Sequence, residues 1–508
     1  MVNEALSVAK ASVGAKSSVG AKSSGEAKSS SVDKRRLAPF ARSPGAAALL
    51  PFLAGTPAAA ADLDGRAFSG LWALPFAGLL LAIALGPLVA PRAWEHHFGK
   101  VAAGFGFLVA APLVLAAGPV AAGAALLAVA LHEYLPFVLM LLALFTVAGG
   151  IRIEGNLHGS PATNLALLGA GTALASVVGT TGASMLLIRP LIRANDARRY
   201  NAHVVVFFIF LVSNLGGALT PLGDPPLFLG YLRGVDFLWP LRNLWGEALV
   251  AIGLVLAVFA VLDCALYRRD ADFRTLADPT PDSALRLRGF ANVALILFVV
   301  AATFASGAWQ SGIAWTIAGV ELRLEGVLRD LAYLGATLAS LALTPAEARR
   351  ANGFTWGPIL EVATLFAALF VCLLPVAAML RAGADGAFAP LIALVARADG
   401  TPNPAAFFWL SGGLSAVLDN APTYLAFFEL AGGDAARLMG EGARVLAAIS
   451  CGAVFMGAMT TVGNAPNFMV AAVARAAGVR MPGFFGYLAW SGAVLLPTFL
   501  VVTILFFR

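Results

Sequence analysis

The chain has 508 residues, of which 59% are hydrophobic and only 12% are charged, with a mean hydropathy of +0.83. Soluble domains carry about 25% charge, so this composition excludes an ordinary soluble protein and points to a polytopic membrane protein. The net charge of +6 sits in short arginine clusters between apolar runs, which is how topology is encoded rather than how nucleic acid is bound. Cys264, Cys372 and Cys451 lie far apart inside apolar runs, which fits neither a disulfide framework nor a metal pattern and reads as small core residues.

Residues 1–33 are of low complexity, with Ala-Lys-Ser-Ser recurring at 15, 21 and 27. Lys34-Arg35-Arg36, an apolar stretch to Ala54 and a run of small residues up to Ala61 together read as a signal peptide cut near Ala61. The first span runs from Leu71 to Ala90, followed by an interfacial loop from Pro91 to Lys100 containing His96 and His97. Further spans are expected at 101–117 and 135–150, with a short helix over 120–134 between them, and another from Thr163 into Gly179. A broken span covers 203–230 and an unbroken one 243–266. The basic stretches around Arg189–Arg199 and 267–288 are thereby two crossings apart, and both face the cytoplasm. Spans then fall at 290–306, 327–343 and 356–380, in broken form at 404–430 and 445–472, and at 484–507. The total is roughly 11 to 13. The organisation expected is a leader over 1–61, a first repeat over 62–266, a cytoplasmic linker over 267–289 and a second repeat over 290–508.

Two stretches carry polarity that a membrane anchor has no use for. The first holds Gly179-Thr180-Thr181-Gly182, Ser184, Ser213-Asn214, Gly216-Gly217 and Thr220 to Pro226; the second, about 240 residues on, holds Asp419-Asn420-Ala421-Pro422-Thr423 and Thr460-Thr461-Val462-Gly463-Asn464-Ala465-Pro466. Thr181 precedes Asp224 by 43 residues and Asn420 precedes Asn464 by 44. Paired broken segments in two halves mark a secondary transporter's binding site. Irregular backbone at membrane depth is tolerated only where protein buries it or a wet cavity adjoins it. Gly179, Gly182, Gly223, Pro225, Pro226, Pro422, Gly463 and Pro466 are the expected breaks, and each frees carbonyl oxygens suited to a small hard cation.

Thr180, Thr181, Ser184, Ser213, Asn214, Asn420, Thr423, Thr460, Thr461 and Asn464 add neutral oxygens, while Asp224 and Asp419 are the carboxylates. An ionised carboxylate at that depth persists when it binds a cation, takes a proton or faces water. A carboxylate alternating between sodium and a proton is a minimal antiport device. Asp419 ranks first because it lies in the longer apolar run; helix capping is the competing role for both aspartates. Half-helix N-termini aimed inward would also suit an anion. Glu133 and Glu361 head apolar runs and read as interfacial, and His158 and His203 border spans. With no HExxH, GxSxG or paired Cys/His cluster, enzyme chemistry has no foothold.

These residues resemble the NhaD-type sodium/proton antiporters of the wider ion-transporter superfamily, which also holds citrate, dicarboxylate and arsenite permeases. The matching strings are Gly155 to Pro161, 179–195, 203–214 and 219–230 in the first half, and those starting at Ser415 and Thr460 in the second. The resemblance implies an all-α polytopic fold of two inverted repeats, each with a re-entrant hairpin and a broken transmembrane helix. It implies antiport of sodium or lithium against protons across a bacterial-type inner membrane, with sodium at Asp419, Asn420 and Thr181. No cofactor is expected beyond the transported ions. The partners are lipid and small ions, without nucleic acid, and a homodimer is left open. Related citrate carriers place Ser-Asn-Thr hairpin motifs around sodium. Gly179-Thr180-Thr181 and Asp419-Asn420-Ala421 stand there in this chain, which disfavours a carboxylate substrate bound by that scheme and leaves a citrate/dicarboxylate or arsenite-type anion permease as the alternative.

Overall fold

The computed structural model describes residues 63–270 and 283–508; the leader expected over 1–61 lies outside them. Ten helices among the described residues are long and apolar enough to cross a membrane, and the chain is an all-α multi-pass membrane protein. They are the stretch Gly70–Pro87 that runs into α1 (Leu74–Val89), α2 (Pro91–Ala117), α3 (Pro119–Ala148), α4 (Pro161–Val178), the stretch opened by α6 (Ala202–Leu211), α8 (Trp245–Arg269), α9 (Phe290–Ala308), α10 (Leu324–Leu343), α11 (Gly357–Arg381) and α16 (Phe484–Phe506). Shorter helices complete the two polar regions: α5 (Thr180–Ala194), α7 (Pro225–Leu232), α12 (Pro404–Ser415), α13 (Asn420–Leu430), α14 (Ala443–Met456) and α15 (Ala465–Ala476).

Burial sorts these helices into inside and outside. A helix that is apolar all round is either core or lipid-facing. Of the Ala202–Leu219 stretch 89% is buried, and of the apolar window of α11 67%, against 17–39% for the other eight. The α6 stretch is thus the axis of the molecule. α12 packs on α14, α4 on α5, α7 on α13, and α5 on α15, while α3 and α11 flank them.

Proline placement sets many of the helix starts. Pro91, Pro119, Pro161, Pro225 and Pro404 occupy first-turn positions, where the missing N–H costs nothing. Ser160 caps α4 by accepting from Thr163 N at 3.2 Å, and Asn403 caps α12 by accepting from Ala406 N at 3.4 Å.

Several expectations are corrected. Residues 91–100 are not a loop but the first turns of α2. Trp94 is buried against Gly86, where a Cβ would lie 2.2 Å from its ring, and donates Nε1 to Glu361 Oε1 at 2.9 Å. The separate helix over 120–134 is continuous with the span after it. Pro136 has no N–H for the turn above it, and a π-turn at Ala130–Tyr134 absorbs that mismatch without ending the helix. Cys264 is exposed on α8, while Cys372 and Cys451 are buried. Arg349 is buried and donates to Thr146 O and Ser340 O, both at 2.8 Å.

Two small antiparallel ribbons were not anticipated. β1 (Arg152–Asn156) pairs with β2 (Ser283–Arg288), and β3 (Ala314–Ile317) with β4 (Val320–Arg323). β2 lies within the stretch read as linker and returns the chain to the end of the molecule where Arg193 donates to Ile153 O at 3.1 Å.

Candidate functional site

Four short helices begin at one place. The N-caps of α5, α7, α13 and α15 are Gly179, Asp224, Asp419 and Asn464. Each helix N-terminus carries about half a positive charge from unpaired N–H groups, so two aspartates and two neutral caps stand among four partial positive ends.

The backbone breaks are held by close approach. Gly179 has φ +81°, and the following Thr180 N donates to Gly223 O at 2.8 Å, tying the α4–α5 turn to the break before α7. A Cβ on Gly223 would lie 2.3 Å from Gly217 O, and one on Gly463 2.7 Å from Gly457 O. Thr220 donates its hydroxyl to Ser176 O, and Thr460 donates to Ala416 O at 2.6 Å. In the glycine pair and in the threonine pair the two halves show the same contact 240 positions apart. Of the residues read as breaks, Gly182 sits inside α5, and Pro226, Pro422 and Pro466 stand in first turns of helices.

Asp224 is the hub. Its side chain makes no cap to its own helix. It turns instead to accept from Thr180 Oγ1 at 2.8 Å, from Asn464 Nδ2 at 3.3 Å and from Asn420 Nδ2. Thr180 and Asn420 occupy corresponding positions, 240 apart, and Asn464 corresponds to Asp224 itself. A symmetric arrangement would have sent Asn420 to Asn464. Both instead converge on the one carboxylate. Asp224, Thr180, Asn420 and Asn464 are all at most 3% exposed. The oxygen of the Asn420 amide, Oδ1, is buried without a hydrogen-bond donor.

Asp419 is half-buried and caps α13, accepting from Ala421 N at 3.3 Å. It lines a cavity of about 110 Å³ together with Thr180, Thr181 and Asn464, space for several water molecules. Phe137 and Phe145 of α3 and Ile359 and Phe366 of α11 form the opposite wall. No lysine or arginine is among the described residues lining it.

The remaining candidates surround this centre. Ser184 and Ser213 share a hydrogen bond of 2.9 Å. Asn464 also donates to Ser213 O at 3.1 Å and Asn214 Oδ1 at 3.2 Å. Thr423 Oγ1 donates to the backbone oxygen of Asp419 at 3.0 Å. Thr460 braces its turn, accepting from Gly463 N at 3.0 Å, and Thr461 is half-buried next to it. Glu133 pairs with Arg233, His158 meets Tyr267 at 3.4 Å, and His203 is buried against Asp263 at 2.8 Å. His96 and His97 each place Nδ1 on a carbonyl of their own helix, Arg92 O at 2.8 Å and Ala93 O at 3.0 Å.

Sequence reasoning passed over Asn467. It is fully buried, accepts from Asn214 Nδ2 at 2.7 Å, and donates to Gly457 O at 2.8 Å and Thr460 O at 2.9 Å. The signal was an amide three residues after Asn464 at the start of an apolar helix. Ser176 and Ser415 were also passed over. They donate to Gly216 O at 2.5 Å, in the break after α6, and to Ala453 O at 2.6 Å, in the last turn of α14, binding each hairpin to the broken helix beside it.

Compared with known families, residues 65–507 match the family model CitMHS_2, described as "Putative citrate transport". No curated protein matches the chain.

Proposed function

The chain belongs to the CitMHS_2 family and is a citrate-transporter-like, non-enzymatic membrane permease; from that premise we propose that it exchanges sodium or lithium for protons. The observation that carries this reading is the pairing of Asp224 with Asn420, whose amide nitrogen donates to the carboxylate while its oxygen is left buried without a donor. A buried amide oxygen without a donor is costly, and next to a carboxylate it supplies what a hard cation takes: oxygens of high charge density. The absence of lysine and arginine from the described cavity lining agrees.

In the exchange, Asp224 holds either a proton or the cation. With sodium present, the carboxylate and the Asn420 oxygen ligate it, and Thr180 and Asn464 turn from donors to the carboxylate into bracing groups. A proton restores a donor–acceptor pair between Asp224 and the amide. Each ligand excludes the other, which supplies the differential affinity any coupled transition needs. Asp419, Thr181 and the cavity form the approach.

The contacts repeated at a spacing of 240 residues support two inverted repeats. α4–α5 and α12–α13 are the re-entrant hairpins, and α6–α7 and α14–α15 the broken helices. The arginines gathered at the β1–β2 end support a cytoplasmic position for that end, in keeping with a bacterial-type inner membrane. A second reading, a citrate-type anion permease, is favoured by the family description and by the four helix N-termini. Proteoliposome flux with sodium, lithium, citrate and arsenite in parallel separates the two. Sodium-driven proton movement without citrate supports antiport; citrate uptake with no sodium-driven proton movement overturns it.

A further inference from the structure

The helices that build the site also carry a charge cluster, gathered on the buried Glu429, that the site does not use. α7 has Asp224 at its N-cap and Arg233 just past its last turn; α13 has Asn420 first and Glu429 next to last. The two helices pack together. The contact that joins Asp224 to Asn420 at one end therefore joins Arg233 to Glu429 at the other, Nη1 donating to Oε1. Eight residues of helix put the two pairs about 12 Å apart.

The cluster continues into the cavity walls. Arg233 Nη2 meets Glu133 Oε2, in the π-turn of α3, at 3.0 Å. Arg381 Nη1, at the end of α11, meets the second oxygen of Glu429 at 3.7 Å. α3 and α11 are the helices that face the site across the cavity. One ion pair thus lies within the site-bearing helices and two cross to the opposite wall. Beyond the cluster opens a vestibule of about 890 Å³ whose lining includes Glu133 and Arg233. The other end of the cavity is closed differently: Phe145, Met185 and Ile359 form a small apolar cluster of their own, with Phe354 and Met469 against it.

We infer that Glu133, Arg233, Glu429 and Arg381 are the gate between the site and the vestibule. It opens when the two crossing pairs part while Arg233–Glu429 stays whole. The buried Glu429, which lies closer to Arg233 than to Arg381, decides which pairs part. The Glu429 side chain has no exposure, and Gly433 at φ +69° leaves it room, since a Cβ there would lie 2.5 Å from Oε2. Removing every partner from a buried carboxylate is prohibitive, so Arg233 travels with it. Glu133 and Arg381 are 13% and 40% exposed and regain water when released. This rests on the chain being a transporter with its site at Asp224, and not on which solute it carries.

The test uses the full chain in vesicles of both orientations, with Cys264→Ser, Cys372→Ser and Cys451→Ser and a reporter Ala465→Cys, an exposed cavity residue. A membrane-impermeant maleimide is the probe. Glu133→Gln breaks one crossing pair. Labelling from the vestibule side is expected to rise about 5- to 30-fold, as for a shift of one or two kcal/mol in a two-state equilibrium. Glu133→Asp returns it towards the parent, and Arg381→Gln, which breaks the other crossing pair, raises it again. Unchanged labelling in both Gln variants, or a rise only from the β1–β2 side, overturns the gate. Labelling needs no transported ion, so failure of the antiport reading leaves this result legible.

Discussion

Asn420 donates its side-chain amide to Asp224 across 196 residues of sequence, and its own oxygen is left buried without a donor. The corresponding residue of the other half, Thr180, donates to the same carboxylate at 2.8 Å. Asp224 is therefore a single acidic centre served from both halves, rather than one of two equivalent sites.

Asp224→Asn keeps the shape and removes the titratable charge. Sodium-driven proton movement in proteoliposomes is expected to fall to background. Asp419→Asn keeps a good N-cap, so α13 stays folded, and its expected effect is a rise in the apparent sodium constant of about tenfold, near 1.4 kcal/mol. Wild-type exchange by Asp224→Asn would falsify the carboxylate-competition mechanism.

Asn420→Asp puts a second carboxylate against Asp224. Like charges at that distance make the pair hold a proton more tightly. Deprotonation then requires higher pH, so the rate-against-pH profile of exchange is expected to move about one unit or more in the alkaline direction. A profile that stays put, or moves to acid, contradicts the direct contact.

Gly223→Ala and Gly463→Ala drive a methyl into backbone oxygens at 2.3 and 2.7 Å. Backbone on both sides has no room to yield, and the expected cost is about 1–3 kcal/mol or more, read as a lowered melting temperature in detergent with loss of flux. Gly413→Ala, with nothing within 4 Å, is the control and gains up to about 1 kcal/mol from helix propensity. Equal behaviour of all three would remove the close-approach argument.

Asn467→Leu strands the Gly457 and Thr460 carbonyls and one N–H of the Asn214 amide, whose other N–H stays on Ile209 O. Each unsatisfied buried group costs about 1–3 kcal/mol. Thermal stability should drop more than in Asn467→Gln, which keeps an amide. If the leucine variant melts with the wild type, Asn467 is not the brace described above.

Hydropathy determined the spans. Across α4 and from α8 onward the helices fall where apolar runs and first-turn prolines put them, because a bilayer leaves a chain no alternative to satisfying its backbone within each helix. The polar strings at 179–226 and 419–466 named the polar side chains that line the cavity, Thr180, Thr181, Asp419 and Asn464, but not its apolar wall from α3 and α11, since breaking a helix at membrane depth is a local act that local residues must perform. The π-turn in α3 and the helical start of α2 were not legible in the same way; one follows from a single proline and the other from Trp94 finding Gly86 and Glu361. Sequence ranked Asp419 above Asp224 by the apolarity of its neighbours. Their different surroundings were decided only by tertiary structure. Both are N-caps, but Asp419 accepts from its own helix, whereas Asp224 turns away to donors on three other segments. No window of sequence contains those donors, and Glu133, which reads as interfacial, joins Arg233 and Glu429 in one charge cluster only when α3, α7 and α13 are packed.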